Sequence, residues 1–315
     1  MSRGIRDFMA VRQVLEVETP ILSAFGNTDP AIESFVTTAL PTTIAAHAQA
    51  ARWLRTSPEF FHKRLLAQGS GDIFELARVF RAGEISAKHQ PEFSLLEYYR
   101  LGFDEFTLMH ELGELVQSLQ GQFDLAIWPI QQLRFDAWFQ AELGIDLQRI
   151  SLAQLLYVAR EYGAQSVMDL DGCLDFLRSH VLEPKLPHAT WTFIYDFPAS
   201  QAALARVTDD AKHARRFELF GGGFELANGY FELSDTIEQR LRFERDAKKR
   251  RSNQQPEVPM DIDLLQALAQ GLPSCAGVAV GLDRLLMLLS GVKQIDEVLL
   301  FAVDLTVRFD KSALP

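Results

Sequence analysis

The chain has 315 residues, 48% of them hydrophobic and 23% charged, which is typical of a globular protein with a sizeable core. Its formal net charge of −11 argues against a general nucleic-acid binder, and no apolar run approaches the roughly 20 residues that cross a bilayer. The start of the chain lacks a signal-peptide pattern, so we expect a cytoplasmic protein. Cys173 and Cys275 stand in no paired spacing, which disfavours a disulfide or a zinc site.

The first half of the chain predicts helix, then strands, then helices. Helical spacing covers residues 4–16, and Pro20 keeps the following VETPIL extended. SPEFFHKRLLAQG predicts a second helix, whereas residues 72–84 and 93–103 read as two strands. Residues 104–182 are mostly helical in pattern, and we expect them to be an insertion within a single domain that spans 1–315.

The second half returns to strands. TWTFIYDFP is extended, a hairpin follows, and then a helix over 235–251 and the loop SNQQPEVPMD. The terminal AGVAVGLDRLLMLLSG predicts a strand, a glycine turn and an apolar helix. Strands joined by hairpins, with helices grouped between them, indicate an α+β fold with an antiparallel sheet flanked by helices.

The hairpin FELFGGGFELANGYFELSD (217–235) carries many acids for a core element. Glu218 and Phe220 share one face of its first strand. On the second strand Glu225 has odd parity, whereas Asn228, Tyr230 and Glu232 have even parity. A common face requires a bulge, which we expect at the small residues 227–229. The alternative is an ordinary solvent-exposed polar face.

Two arginines stand where a turn meets a strand or a helix. Arg81 ends a strand before a polar loop with Glu84 and His89, and Phe93 begins the next strand. An arginine fork there can bind phosphate oxygens while the phenylalanine stacks on a base, although an ordinary hairpin loop fits as well. Arg284 lies in the first turn of the last helix, where a cation opposes the helix dipole unless it reaches an anion; a solvated arginine is the alternative.

A basic run, RLRFERDAKKRR (240–251), interrupts the acidic chain. Its simplest interpretation is the solvated face of a helix with mixed charge. The alternative is a docking surface for an acidic protein partner.

Taken in order, these segments resemble the catalytic domain of class II aminoacyl-tRNA synthetases of the lysyl type. VLEVETP looks like the end of motif 1, the dimer-forming region, FRAGEISAKHQPEFSLLEYY like motif 2, and GVAVGLDRLLMLL like motif 3. TSPEFFHKRLL and FELANGYFELSD are similar to amino-acid-site segments. The resemblance covers nearly the whole chain and implies a homodimer.

The resemblance implies a set of residue roles. By this resemblance Arg81 and Arg284 are expected to be the catalytic arginines, which bind the α-phosphate and the γ-phosphate of ATP. Four further residues are expected to contact ATP: Glu84, His89, Phe93 and Glu218. Magnesium ions are implied at Glu218 and Glu225. The shell around a lysine substrate is implied at Glu59, Glu97, Tyr99, Asn228, Tyr230, Glu232 and Ala279. Because clustered acids repel each other, we expect this shell to require a cationic ligand.

Three features depart from lysyl-tRNA synthetases. About 15 residues precede motif 1, which leaves no room for an anticodon-binding domain and makes tRNA an unexpected partner. Ala279 stands where glycine is usual, and its methyl group is expected to disfavour α-lysine. FRAGE puts Gly83 at the place of a family glutamate and Glu84 one residue later.

Together with DFPASQAALA (196–205), the first two of these features are similar to the stand-alone paralogues that attach (R)-β-lysine to elongation factor P. The implied activity is adenylation of lysine or β-lysine with ATP and Mg²⁺, followed by transfer to a protein lysine. Two alternatives remain: a stand-alone enzyme that charges or modifies tRNA, and a binding protein that has lost catalysis.

Overall fold

The computed structural model describes residues 1–37 and 51–302. The strands there are, in chain order, β1 (Leu15–Glu16), β2 (Leu22–Ser23), β3 (Val36–Thr37), β4 (Arg52–Leu54), β5 (Ile73–Phe80), β6 (Glu92–Leu101), β7 (Ile130–Arg134), β8 (Trp191–Pro198), β9 (His213–Gly221), β10 (Phe224–Phe231) and β11 (Cys275–Gly281). The longer strands carry the aromatic and apolar runs, which fit a pleated surface with buried sides.

The α-helices of the described residues are α1 (Ser2–Val11), α2 (Glu59–Ala67), α3 (Glu105–Gln122), α4 (Phe135–Leu143), α5 (Leu152–Glu161), α6 (Leu170–Leu177), α7 (Thr236–Ser252), α8 (Ile262–Gly271) and α9 (Leu282–Ser290). A π-helical turn, Arg178–Leu182, continues α6. Asp104 and Asp235 accept backbone hydrogen bonds at the starts of α3 and α7, as their residue type favours. The helix α8 follows the Pro/Gln-rich loop and has no counterpart among the predicted elements.

Eight strands form one large sheet in the order β1-β5-β6-β11-β10-β9-β8-β7. The six strands from β5 to β8 in that order pair antiparallel, whereas β1 pairs with β5, and β7 with β8, in parallel. The α+β class and the antiparallel centre are confirmed, and the parallel edge pairs make the whole sheet mixed. The short strands β2, β4 and β3 form a second sheet.

Alternation along β6 gives the large sheet two different faces. Leu96 and Tyr98 are buried in a core with residues of α1 and α3. The intervening Glu97 and Tyr99 point to the opposite face, where Tyr99 packs among residues of α2 and α8. The candidate site residues therefore lie on the face away from the main core.

Residues 104–182 contribute α3 to α6 and also the strand β7, so the segment is not wholly helical. Phe139, Leu155 and Leu174 pack with Ile194 of β8 in a second core. Through this core the helical segment packs against one end of the sheet. Its interpretation as an insertion into one domain stays a prediction.

The expected hairpin is formed by β9 and β10, and it contains the expected bulge. The register passes from Glu225 opposite Phe220 to Ala227 opposite Leu219, so the unpaired residue is Leu226. The predicted position, 227–229, is wrong because Ala227 and Gly229 are both paired with β9. The consequence of the bulge is the predicted one: Glu225 comes to the same face of the sheet as Asn228.

Cys173 and Cys275 are both buried and free. Within the described part of the chain, no helix is both long and apolar enough to cross a membrane.

Candidate active site

The floor of the site is a row of residues that runs across five neighbouring strands. Strand pairing sets Glu75 opposite Glu97, Glu97 opposite Ala279, Ala279 opposite Asn228, and Asn228 opposite Glu218. Directly paired residues share a face and lie close together. Residues far apart in sequence thus form one continuous floor, with four polar side chains and Ala279 at its centre.

Arg81 lies at the end of the β5–β6 hairpin and faces a cavity of about 160 Å³. Its guanidinium is 5.0 Å from the centre of the Phe93 ring and 3.7 Å from the Glu84 carboxylate. Its Nε is buried and makes no hydrogen bond to the described residues. A buried donor that lacks a partner favours an anionic ligand at this position.

His89 lies on the loop of the same hairpin. Its Nδ1 is 2.7 Å from the hydroxyl of Ser86. Burial lowers the pKa of His89, and the Arg284, Arg81 and Lys88 cations lower it further. The ring is therefore neutral near pH 7 and can donate one hydrogen bond without adding charge.

Arg284 reaches back from the first turn of α9 across the sheet. Its Nη1 donates to the backbone oxygen of Glu225 at 3.0 Å, and its Nε to that of Lys88 at 3.4 Å. These carbonyls hold the guanidinium at the mouth of the cavity and offset its unfavourable place in the helix dipole. The interpretation of Arg284 as a freely solvated side chain is wrong.

The cavity brings together most of the residues expected around ATP. Its walls include Arg81, Glu84, His89, Phe93, Glu225, Asn228, Ala279 and Arg284. Glu218 is not one of the lining residues. The exposed Lys88 also lines it, and its Nζ donates to the backbone oxygen of Gly223.

The residues expected around a lysine substrate lie beside this cavity, on the same face. Glu97, Tyr99 and Glu232 are almost completely buried, Asn228 and Tyr230 are partly buried, and Glu59 lines a separate cavity of about 60 Å³. Glu59 and Glu232 share a partner that the sequence analysis did not single out. Lys63 of α2 is 2.5 Å from the Glu59 carboxylate and 2.7 Å from that of Glu232.

Lys63 is only 1% exposed and remains charged. Burial lowers its pKa, but the carboxylates of Glu232 and Glu59 outweigh burial and leave the pKa above its ordinary value. Burial raises the pKa of Glu232 to about 8, with Lys63 opposing the rise and Glu59 adding to it. Lys63 and Glu59 are four residues apart on one helix, a spacing that could have revealed the pair.

A second basic side chain lies near Glu97. His62 lies 2.9 Å from Glu75 and 3.6 Å from Glu97. Burial lowers the pKa of His62, yet the hydrogen bond to Glu75 and the nearby carboxylate of Glu97 outweigh burial, so the net pKa is raised. The expectation that these clustered acids require a cationic ligand is therefore wrong, because Lys63 already supplies a cation to Glu59 and Glu232.

Arg216 connects the two parts of the site. Its Nη2 pairs with the Glu218 carboxylate, and its Nε donates to Asn228 Oδ1 at 3.2 Å. Asn228 in turn donates to the hydroxyl of Tyr230 at 3.0 Å. Arg216 therefore fixes one residue expected at the metal and two expected at the substrate.

The two carboxylates expected to hold magnesium, Glu218 and Glu225, differ in whether an ion in the cavity can reach them. Glu225 lines the cavity, whereas Glu218 is 1% exposed and has one oxygen on Arg216 and the other 2.5 Å from Arg178. No cluster of three or more metal-ligating side chains occurs in the described ranges. Magnesium often takes only one or two carboxylates besides phosphate oxygens, so Glu225 fits a Mg²⁺ ion and Glu218 does not.

A model of the family described as tRNA synthetases class II (D, K and N) matches residues 1–304. The chain therefore belongs to the class II tRNA synthetase family. It is also similar to proteins named elongation factor P--(R)-beta-lysine ligase. The relative from Pasteurella multocida is 43% identical over 95% of this chain and 92% of its own length. Those from Mannheimia succiniciproducens and Pseudoalteromonas translucida are 43% and 44% identical, each over 96% of this chain and 92% of its own length.

Gly277 leaves room for two of the buried side chains, and its replacement tests the pocket. A Cβ atom there would lie 2.3 Å from the Tyr99 ring and 2.5 Å from a Glu232 oxygen. We expect Gly277→Ala to raise the KM for the amino-acid substrate by about tenfold, through a strain of roughly 1–3 kcal/mol, and to leave the KM for ATP unchanged. Pyrophosphate exchange measures both constants. Gly121→Ala, with open space around its Cβ, is the control; an unchanged amino-acid KM in Gly277→Ala would contradict the geometry.

Proposed function

We propose that this chain is a ligase that activates (R)-β-lysine with ATP and transfers it to a lysine side chain of elongation factor P. The observation that carries the proposal is the continuous floor from Glu97 through Ala279 and Asn228, shared by an acidic pocket and an arginine-lined cavity. A cationic amino acid and a nucleotide can therefore lie end to end. The names of the relatives support the particular substrate and acceptor.

In the first step, the substrate carboxylate attacks the α-phosphorus of ATP, and pyrophosphate leaves. Both partners are anionic, so positioning and charge neutralisation matter more than proton transfer. Arg81 holds the α-phosphate and the incoming carboxylate, Arg284 holds the γ-phosphate, and Phe93 stacks on adenine. When bound at Glu225, Mg²⁺ supplies further positive charge to the phosphates.

In the second step, the amine of the acceptor lysine attacks the carbonyl carbon of the adenylate, and AMP leaves. An amide bond forms as the bond between the carbonyl carbon and the phosphate oxygen of AMP breaks. The attacking neutral amine loses one proton, for which the phosphate of the departing AMP is the nearest acceptor. Glu59, Glu97 and Glu232 accept hydrogen bonds from the substrate ammonium groups, with Tyr99, Asn228 and Tyr230 around them.

The basic run 240–251 offers a docking surface for the acidic protein acceptor through its exposed members, such as Arg245 and Lys248. Arg242 and Arg250 of the same run are buried in structural contacts and do not belong to this surface.

The deciding assay incubates the protein with ATP, purified elongation factor P and (R)-β-lysine, and measures the intact mass of the factor. The expected result is a gain of one lysyl group that disappears when ATP is omitted. A parallel reaction with total tRNA tests the alternative acceptor. Active pyrophosphate exchange without a mass gain on the factor would overturn the proposed acceptor, and charging of tRNA instead would favour the alternative.

Ala279 tests the choice of substrate. Its methyl group lies on the floor between Glu97 and Asn228, where it restricts the space beside the substrate backbone. We expect Ala279→Gly to raise activation of α-lysine about tenfold, because the lost methyl group opens the pocket. Pyrophosphate exchange with α-lysine and β-lysine measures the change. Unaltered α-lysine activation would contradict the steric argument.

The proposal includes a cytoplasmic homodimer. Leu15, Ile21 and Leu22, in and beside the motif 1 segment, are each more than 40% exposed. Exposed apolar side chains along this segment favour its burial against a second copy. Light scattering should give the mass of a dimer, and the mass of one chain would refute it.

A further inference from the structure

Arg178 is the point at which the helical segment touches the active-site floor. It begins the π-helical turn after α6, and such turns are frequent at functional sites. Its Nη1 lies 2.5 Å from Glu218 and 3.3 Å from Glu183, and its Nη2 lies 3.9 Å from Asp175. Its side chain is 15% exposed. The proposed reaction gives this guanidinium no role.

Glu218 has both oxygens in ion pairs. Arg178 pairs with Oε2 of Glu218, and Arg216 pairs with Oε1. Glu218 itself is almost inaccessible to solvent. A Mg²⁺ ion at Glu218 would lie beside two guanidinium groups, which repel it. Paired in this way, Glu218 is closed to a metal ion, although its neighbour Glu225 lines the nucleotide cavity.

We propose that Arg178 takes the place of a metal ion at Glu218, so that the ATP site needs only the ion held at Glu225. The guanidinium satisfies the Glu218 carboxylate and brings a fixed positive charge to this end of the site. A fixed arginine is present before the nucleotide arrives, whereas an ion must be recruited. The inference rests on the proposed function, because it assumes that ATP is the nucleotide.

The experiment counts bound Mn²⁺ ions, a spectroscopic stand-in for Mg²⁺, in the presence of α,β-methylene-ATP. Free Mn²⁺ is measured by electron paramagnetic resonance. We expect Arg178→Met to bind one more ion than the parent chain, because the Glu218 oxygen that Arg178 held becomes available while Arg216 keeps the other. Arg178→Lys retains the charge and should keep the parent number. Arg160→Met, at an exposed arginine of α5, controls for the loss of one positive charge.

Glu218→Gln tests the same inference without removing the arginine. In the parent chain Glu218 holds no metal, so this variant should bind the parent number of ions. The double variant Arg178→Met/Glu218→Gln should lose the extra ion of Arg178→Met. An ion lost in Glu218→Gln alone, or an equal count in the parent and Arg178→Met, would overturn the inference. Neither measurement needs turnover or the protein acceptor. A failed transfer assay would therefore count against the proposed function without changing the number of ions bound.

Discussion

Replacing Arg81 with alanine is expected to lower the rate of adenylation by about 10²–10³, or roughly 3–4 kcal/mol of transition-state stabilisation. Arg81 offers a buried, unpartnered Nε to the nucleotide cavity, and its guanidinium is held by Phe93 and Glu84. The charge that develops on the α-phosphate would lose its nearest fixed donor. Pyrophosphate exchange at saturating ATP and substrate measures the loss directly.

Arg81→Lys separates the contribution of the positive charge at residue 81 from that of the planar guanidinium. Lysine keeps the positive charge but lacks the planar fork, so we expect an intermediate loss of activity. Arg149→Ala, at an arginine whose side chain is 88% exposed, serves as the control and should behave like the parent chain. A rate within threefold of the parent in Arg81→Ala would remove Arg81 from the catalytic set.

Replacing Lys63 with methionine is expected to lower the free energy of unfolding by about 3–5 kcal/mol above pH 8, where Glu232 is ionised, because it leaves two buried carboxylates without their cation. Glu59 and Glu232 both pair with Lys63. Equilibrium unfolding in urea, followed by tryptophan fluorescence, measures the change. Lys63→Arg should recover part of the loss, and Arg64→Met, at the next residue on the same helix, should have little effect. A change below 1 kcal/mol in Lys63→Met would contradict the role of this pair.

The titration of Glu232 sets the direction in which the effect of Lys63→Met on stability changes with pH. Its folded-state pKa of about 8 lies above the ordinary value, so its contribution to stability is present at low pH and is lost as the pH rises through 8. Lys63 opposes the rise, so the pKa is higher still without it. The difference in stability between the parent chain and Lys63→Met should therefore grow above pH 8.

The sequence predicted those features that depend on local pattern. Parity along 217–232 required a bulge, and a bulge brings Glu225 to the face of Asn228. Its position at Leu226 was missed because residue size is a weaker guide than the register with β9. The parallel pairing of β1 with β5 and of β7 with β8 joins distant segments, which periodicity does not report.

The candidate site was predicted by resemblance, and its internal cations were not. Lys63 looked like one more charge on an amphipathic helix, and Arg178 lay in a segment that appeared merely helical. Their partners are 169 and 40 residues away, at Glu232 and Glu218. The basic run 240–251 was taken as one surface, yet Arg242 donates to the backbone of Ala205, and Arg250 pairs with Glu33.

The contacts of Arg216 link the binding of the nucleotide to the binding of the amino acid. Arg216 contacts Glu218, which is expected to contact ATP, and Asn228, which is expected to contact the amino acid. A nucleotide that shifts this guanidinium also shifts Asn228, and a bound amino acid that fixes Asn228 fixes the guanidinium in return. The two ligands then share one coupling free energy, and each changes the affinity of the protein for the other by the same factor.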